Sequence, residues 1–382
     1  MTGWREVAQQ WGRAPAVLPD PAPVDLAAGY RAMVAASAPF RAGTRYQALP
    51  DVRFRADDGV IRAPGGLLPG EHDRTLDGYF DRLETDLGQG CLLTVEQPLM
   101  TDFALWSVVR DWLARLWREV GWPSLPVVSE LAVGDRITDR GGLAGEPTHD
   151  VLTWVLHGTL RVALQDGTAG PQPTLTVPAG QLAYWPGTHS YADTYADRCM
   201  LLRLRVPTDP RLAFGAVKDL LAETMQAQRD GDEVPYLPIS AGTVAEPIAA
   251  IAQQLGEQVQ APELTRALRV QLGKRRSAAG LEPVPAPRWP VELTASDWIR
   301  RTAEVLPVPD PPDRTVWAVN GYGLPLAGAV TDRILAELPL GRPVRVGELC
   351  AAIGAGDQSA RVITLLRALH RLYVVELEAR GV

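Results

Sequence analysis

Lysine, cysteine and histidine are scarce in this chain of 382 residues. Lys218 and Lys274 are its two lysines among 38 basic residues, so mechanisms that use a lysine Schiff base or a lysine general base have almost no candidates. The three cysteines lie far apart and include no CxxC pair, which excludes a disulfide framework and favours a cytoplasmic location. Five histidines remain as groups that can transfer protons near neutral pH.

Long apolar segments and excess positive charge are also missing. The sequence has no run of about 18 apolar residues and no N-terminal signal-peptide pattern, so it predicts neither membrane insertion nor secretion. The net charge of −7 and the pI of about 5.4 argue against nucleic acid as the main partner, because phosphate binding needs clustered cations. A chain of this length can form two or three domains with separate cores.

The stretch 145–206 is predicted to be a run of short strands separated by turn residues, and it contains three of the five histidines. The predicted strands are His149–Leu156, Leu160–Gln165, Thr174–Val177, Gln181–Pro186 and Arg198–Val206. Helices are predicted before it, with Thr75 as the N-cap of one of them and a wide apolar stripe in another from Leu105 to Val120.

Alternation along the first of these strands separates two faces. Leu152, Trp154 and Leu156 share the apolar face. The other face carries His149, Thr153, Val155 and His157. This second face is predicted either to line a barrel pocket or to face water, and the pattern leaves both open.

The segments HDVLTWVLHGTLRVAL and LTVPAGQLAYWPGTHSYAD resemble JmjC-type cupins, which include iron and 2-oxoglutarate-dependent oxygenases. The resemblance is strongest to bacterial protein hydroxylases that carry a helical segment and a winged helix after the barrel. It implies a mixed α/β fold with a double-stranded β-helix core, N-terminal helices, a helical connector and a C-terminal winged helix. The matching positions are Asp150, Gly158, Pro178, Gly180, Leu182, Tyr184, Pro186 and His189.

The resemblance also implies domain boundaries. Residues 1–208 would form the cupin domain with its helical cover, and residues 209–290 a helical connector that could form a homodimer. Residues 291–382 would form the winged helix. The few basic residues of its predicted recognition helix favour docking of protein or peptide over DNA.

The metal-binding pattern of the family is incomplete. The His-x-Asp pair expected before Asp150 falls on Gly145 and Pro147, and a shift by one residue brings Glu146 and Thr148 there. We therefore predict that the chain uses no cofactor. The alternative is iron with 2-oxoglutarate, held by a rebuilt ligand set of His189, His149 and Glu146.

The candidate site residues follow from the two strand faces and the motif. His149, His157, His189 and Tyr184 are predicted to be catalytic. Substrate binding is assigned to Arg161, Arg203, Tyr191 and Thr153, because arginine binds carboxylates and carbonyls. The predicted function is metal-independent acid-base modification of a peptide or protein, for example epimerisation at Cα. Two alternatives remain: an iron and 2-oxoglutarate hydroxylase, and a non-catalytic peptide-binding or regulatory protein.

Overall fold

The computed structural model describes residues 3–43, 49–57, 59–140, 148–166, 173–226, 252–253, 255–257, 259–310, 314–327, 330–354, 356 and 359–378. Within it the chain divides into two compact units. The first comprises Met1–Asp209 with Ala278–Trp289, and the second Pro210–Ser277 with Pro290–Val382. The predicted connector 209–290 is thus divided between the units, and the three predicted domain boundaries stay predictions.

Two antiparallel sheets form the core of the first unit. An eight-stranded sheet has the order β1-β10-β7-β12-β5-β4-β2-β3, and a four-stranded sheet has the order β6-β11-β8-β9. The strands are β1 (Ala16–Leu18), β2 (Asp51–Ala56), β3 (Gly59–Ile61), β4 (Cys91–Glu96), β5 (Val128–Asp135), β6 (Ile137–Asp139), β7 (His149–His157), β8 (Thr159–Gln165), β9 (Thr174–Pro178), β10 (Leu182–Trp185), β11 (Ser190–Tyr195) and β12 (Cys199–Pro207).

The two sheets pack face to face and enclose an apolar barrel core. Side chains from both sheets fill it, including Val155, Leu160, Val162, Trp185 and Leu201. Of the two possibilities left open for β7, the structure shows the first: Thr153 and Val155 point into the barrel, while Leu152 and Trp154 point to the opposite face.

Helices cover that opposite face of the eight-stranded sheet. They are α1 (Gly3–Gln10), α2 (Leu26–Arg41), α3 (Leu76–Asp86) and α4 (Phe103–Val120), with short 3-10 turns at Gly65–Leu67, Glu71–Asp73 and Pro98–Thr101. The side chain of Thr75 accepts a hydrogen bond from Gly78 N, which confirms it as the N-cap of α3. Trp112 of α4 packs edge-to-face on Trp154, with ring centroids 4.7 Å apart.

A late segment of the chain returns to complete this unit. The indole Nε1 of Trp117 donates a hydrogen bond to Ala279 O at 2.8 Å, and Val127 N donates to Gly280 O at 2.8 Å. Ala278, Ala279 and Leu281 are buried in the same core as α4. The barrel unit therefore consists of two segments that are separated in sequence.

The second unit contains helices α5 (Pro210–Gln226) and α6 (Pro262–Ser277), followed by two three-stranded sheets. The remaining elements are β13 (Trp298–Arg301), β14 (Leu306–Asp310), β15 (Arg314–Val319), β16 (Tyr322–Ala327), α7 (Val330–Glu337), β17 (Pro343–Arg345), α8 (Val346–Ala352), α9 (Ser359–Arg371) and β18 (Val375–Leu377). The sheets have the orders β17-β13-β18 and β14-β15-β16. The description of residues 291–382 as a winged helix stays a prediction.

None of the helices among the described residues is long and apolar enough to cross a membrane.

Asp102 is the N-cap residue of α4, and its contribution to stability can be tested. The Asp102 side chain accepts hydrogen bonds from Ala104 N and Leu105 N, so Asp102→Ala should lower the free energy of unfolding by about 1 kcal/mol. The control is Asp111→Ala, because Asp111 lies in the same helix with its side chain 61% exposed and should change the stability by less than about 0.5 kcal/mol. Denaturant unfolding followed by tryptophan fluorescence measures both, and equal effects would contradict the capping role.

Candidate functional site

A buried arginine lies inside the barrel. Arg203 of β12 is 3% exposed, and its Nε donates a hydrogen bond to Thr153 Oγ1 at 3.0 Å. Its Nη1 donates to Asp193 Oδ2 at 2.7 Å and to the Tyr191 hydroxyl at 3.4 Å. The guanidinium carbon lies 4.9 Å from the ring centroid of Tyr191 and 5.5 Å from that of Trp185.

Strand register explains why these groups meet. Arg203 of β12 is opposite Thr153 of β7 on one side and Glu130 of β5 on the other. Asp193 belongs to β11 of the four-stranded sheet and is completely buried. The ion pair between Arg203 and Asp193 therefore joins the two sheets across the barrel.

Burial and pairing act against each other in this cluster. Burial raises the pKa of the Asp193 carboxyl, and Arg203 opposes that rise. Burial is the largest single influence on the pKa of Arg203 and tends to lower it, but Asp193, Tyr191, Tyr195 and Glu130 together raise this pKa, so that the guanidinium stays charged. The pKa of Tyr191 is raised to about 12, mainly by burial, and its hydroxyl is therefore neutral at physiological pH.

A polar pocket opens at one end of the barrel, and Arg203 and Tyr191 are part of its wall. We call it the mouth pocket; its volume is about 230 Å³. Its lining residues are Asp51, Arg53, Arg55, Val60, Leu92, Thr94, Glu96, Glu130, Asp139, Arg140, Tyr191, Arg203 and Arg205.

Most of the charges in the mouth pocket are paired. Arg55 bonds Asp139 from the other sheet, and Arg205 Nη2 lies 3.2 Å from Glu96 Oε2 and 3.7 Å from Glu130 Oε2. Asp51, Glu96 and Glu130 are directly opposite one another on β2, β4 and β5. Such a row of like charges is destabilising unless cations offset it, and the arginines supply those cations.

The predicted histidines lie at opposite ends of the barrel. His149 begins β7 and is opposite Pro207, which follows the pocket residue Arg205 on β12, so His149 lies at the mouth end. His189 precedes β11 at the same end, with its Nδ1 3.1 Å from Thr188 Oγ1. His157 ends β7, and its Nε2 lies 3.9 Å from Asp77 Oδ1. One site cannot contain all three, because eight residues of extended strand span roughly 26 Å.

Two other predicted site residues do not face the barrel interior. Tyr184 lies on the helix-covered face, where its ring stacks on Trp11 at 5.1 Å and its hydroxyl accepts a hydrogen bond from Gly12 N at 2.6 Å. Arg161 is exposed, between the inward-facing Leu160 and Val162. Neither residue therefore faces the barrel interior, and their roles in catalysis and substrate binding stay predictions.

Three of the four predicted substrate-binding residues do meet, since Arg203, Tyr191 and Thr153 form one hydrogen-bonded cluster. Their role in binding stays a prediction. Glu146 of the alternative metal set lies outside the described residues. Among the described residues, no group of three or more His, Cys, Asp or Glu side chains could hold a metal ion.

Sequence reasoning missed Asp193, Asp139 and the arginines of β2. Asp193 lies in the segment SYADTY, which was not assigned as a strand although Tyr191 was placed in the site. The sequence did contain a signal for such a residue, because a buried arginine on the inner face of β12 requires a buried carboxylate nearby.

Comparisons with known proteins identify the fold. No protein-family model matches the chain, and no curated protein matches its sequence. Among solved structures, the ribosomal oxygenase YcfD from Escherichia coli matches with a TM-score of 0.51 at 14% sequence identity, covering 99% of each chain. Structures of YcfD with cobalt and succinic acid, and with cobalt and 2-oxoglutarate, match with TM-scores of 0.49 and 0.48 at 13% and 14% identity, each over 99% of both chains.

The chain has a JmjC-like cupin fold. This confirms the predicted mixed α/β class with a double-stranded β-helix core and N-terminal helices. The prediction that no cofactor is involved was wrong in the light of the same comparison, because the similar protein has been solved with cobalt and with 2-oxoglutarate or succinic acid.

Removal of one partner of the ion pair between Asp193 and Arg203 should strongly destabilise the JmjC-like barrel. Asp193→Ala leaves a buried guanidinium without its main partner and should lower the free energy of unfolding by about 3–5 kcal/mol. Asp139→Ala is the matched control, because the Arg55–Asp139 pair is partly exposed and worth about 0–1 kcal/mol. Denaturant unfolding measures both, and similar losses would contradict the assignment. Asp193→Leu combined with Arg203→Met should recover most of the loss.

Proposed function

We propose that this chain is a peptide- or protein-modifying oxygenase of the JmjC type, with the mouth pocket as its substrate site. One observation carries the proposal. The apolar barrel core contains a hydrogen-bonded cluster of Arg203, Asp193, Tyr191 and Thr153, and two of its members, Arg203 and Tyr191, line a polar pocket. Charged groups are costly to bury, and perturbed, buried polar groups beside a cleft are typical of functional sites.

The fold similarity supports the reaction class. YcfD is described as a ribosomal oxygenase, and its similarity extends over nearly the whole of this chain. A peptide or protein substrate agrees with a pocket that is open to the surface and lined by many hydrogen-bonding side chains. The dimer proposed for residues 209–290, the cytoplasmic location and a docking role for residues 291–382 are further parts of this proposal.

The described residues alone do not complete a site for either of the two groups that the fold implies. They provide no set of three metal ligands, and the two arginines of β12 in the pocket, Arg203 and Arg205, already pair with carboxylates. A dicarboxylate such as 2-oxoglutarate therefore finds no unpaired buried guanidinium there. We therefore assign no reaction step to a metal ion or to 2-oxoglutarate. The binding and orientation of the substrate are assigned to residues of this chain.

The pairing of Arg203 and Arg205 with carboxylates also favours a second function, which is binding without catalysis. If the barrel interior serves only to hold Arg203 and Asp193 beside the pocket, the chain would bind a peptide or protein segment without changing it. Arginine and tyrosine are common at the centres of binding sites. This binding function and the oxygenase function differ in whether 2-oxoglutarate is consumed.

The deciding experiment is iron and 2-oxoglutarate titration of the purified full-length chain. The oxygenase function predicts stoichiometric iron and slow conversion of 2-oxoglutarate to succinate even without a peptide. His189→Ala should abolish both, because His189 occupies the last ligand position of the motif. His157→Ala is the matched control at the other end of β7 and should retain both.

Succinate formation that is equal in the two variants would contradict a role for His189. Absence of iron binding and of succinate in the wild-type chain would overturn the oxygenase proposal and leave the binding function. Intact-mass analysis of captured peptides, with a gain of one oxygen atom as the positive result, identifies modification directly.

A further inference from the structure

A second pocket lies in the C-terminal part of the chain, between α7, β17 and α8. We call it the helix pocket; its volume is about 320 Å³. All of its lining residues belong to the second unit. They are Ala336, Glu337, Pro339, Arg342, Pro343, Val344, Glu348, Leu349 and Ala352.

Most of the wall of the helix pocket is apolar. Leu349 is buried in the hydrophobic core of the second unit, and Val344 packs against that core. The other apolar lining residues are Ala336, Pro339, Pro343 and Ala352. Ligand sites in proteins are typically apolar clefts with a few polar groups that fix the orientation of the ligand. A ligand of this pocket therefore needs an apolar part.

The charged residues of the helix pocket decide what the rest of the ligand is. Glu337, Glu348 and Arg342 are exposed, and in the described part of the chain none of them forms an ion pair. Glu337 is also the last residue of α7, whose last turn has no basic residue. Helix carbonyls place partial negative charge at that end. Two carboxylates and a helix C-terminus therefore outweigh the one guanidinium, and the pocket favours a cation.

Lysine combines the two properties that this wall requires. Its four-carbon stem can pack along apolar surface while the ammonium stays close to water. The ammonium has three donors that can reach carboxylates on two different helices, whereas the planar fork of arginine fits best on a single carboxylate. Glu337 and Glu348 would repel a ligand carboxylate or phosphate, and an uncharged side chain would leave both of them unpaired.

We infer that the helix pocket binds a lysine side chain of the peptide or protein substrate, with its stem against Val344 and Leu349 and its ammonium between Glu337 and Glu348. The inference rests on the proposed function, because it gives the docking role of residues 291–382 a site and a chemistry. It concerns recognition of the substrate by residues outside the mouth pocket.

The test compares the N-acetyl methylamides of lysine, norleucine and glutamate; norleucine has the four side-chain carbons of lysine without the ammonium. Binding to the full-length chain, labelled with ¹⁵N-alanine, is followed by NMR through the backbone amides of Ala336 and Ala352, assigned with Ala336→Ser and Ala352→Ser. Ala318, buried in β15 and outside the pocket wall, is the internal reference.

The lysine compound should bind at least about threefold more tightly than the norleucine compound, which is the scale of a partly exposed ion pair. The glutamate compound should bind most weakly. Because the preference for lysine is electrostatic, it should shrink in about 0.5 M NaCl.

Charge variants connect that preference to the three charged residues. Glu337→Gln combined with Glu348→Gln keeps the size of the side chains but removes their charge, so the lysine and norleucine compounds should bind equally. Arg342→Gln removes the opposing cation and should strengthen lysine binding about twofold. Glu376→Gln, in β18 and outside the pocket wall, is the matched control and should leave the preference unchanged. Thermal unfolding checks that the variants fold, and if the double variant does not, Arg342→Gln and the salt dependence still decide.

Equal binding of the lysine and norleucine compounds to the wild-type chain would overturn the inference. Tighter binding of the glutamate compound, or no shift of Ala336 and Ala352 with any compound, would overturn it as well. None of these results touches the proposed oxygenase function, which depends on iron and succinate. Lysine selectivity without succinate formation would support the inference and leave the chain as a lysine-binding protein.

Discussion

The ion pair between Arg203 and Asp193 is the interaction on which the barrel depends. It is a fully buried ion pair between the eight-stranded and the four-stranded sheets, whereas the Arg55–Asp139 pair between them is partly exposed. Thr153 and Tyr191 must supply further hydrogen bonds, because a buried guanidinium has more donors than one carboxylate can satisfy. Glu130 lies near both Arg203 and Arg205, so positive and negative side chains alternate from the buried pair to the wall of the mouth pocket.

Such a pair contributes little net stability, since the desolvation of both groups offsets most of their attraction. Hydrophobic side chains of similar volume would hold the two sheets together at least as well. The polar cluster is therefore better explained by binding than by folding. Arg203 and Tyr191 of this cluster also line the mouth pocket, which agrees with that explanation.

Much of this fold could be predicted from the sequence, because strand alternation and helix stripes depend on local residues. The bounds of β7 and β8 and the cap at Thr75 are close to expectation. Tyr184 was misplaced because all four residues of β10 are buried, and a strand buried on both faces gives no alternation to orient it. Arg161 was misplaced despite a usable pattern, since apolar residues at 160, 162 and 164 place it outside. Arg203 on the inner face of β12 indicates a buried carboxylate nearby, but Asp193 is identified as that carboxylate only once the two sheets face each other.

The return of residues 278–289 to the barrel unit has a consequence for biosynthesis. Trp117 and Val127 obtain their hydrogen-bond partners from Ala279 and Gly280, which are translated about 150 residues later, at roughly 5–20 residues per second. On the ribosome, the core around α4 and β5 therefore stays incomplete for at least several seconds. During this time α5 and α6 are synthesised before residues 278–289. A chain truncated after β12 would lack these contacts, so the core around Trp117 and Val127 is complete only in the longer chain.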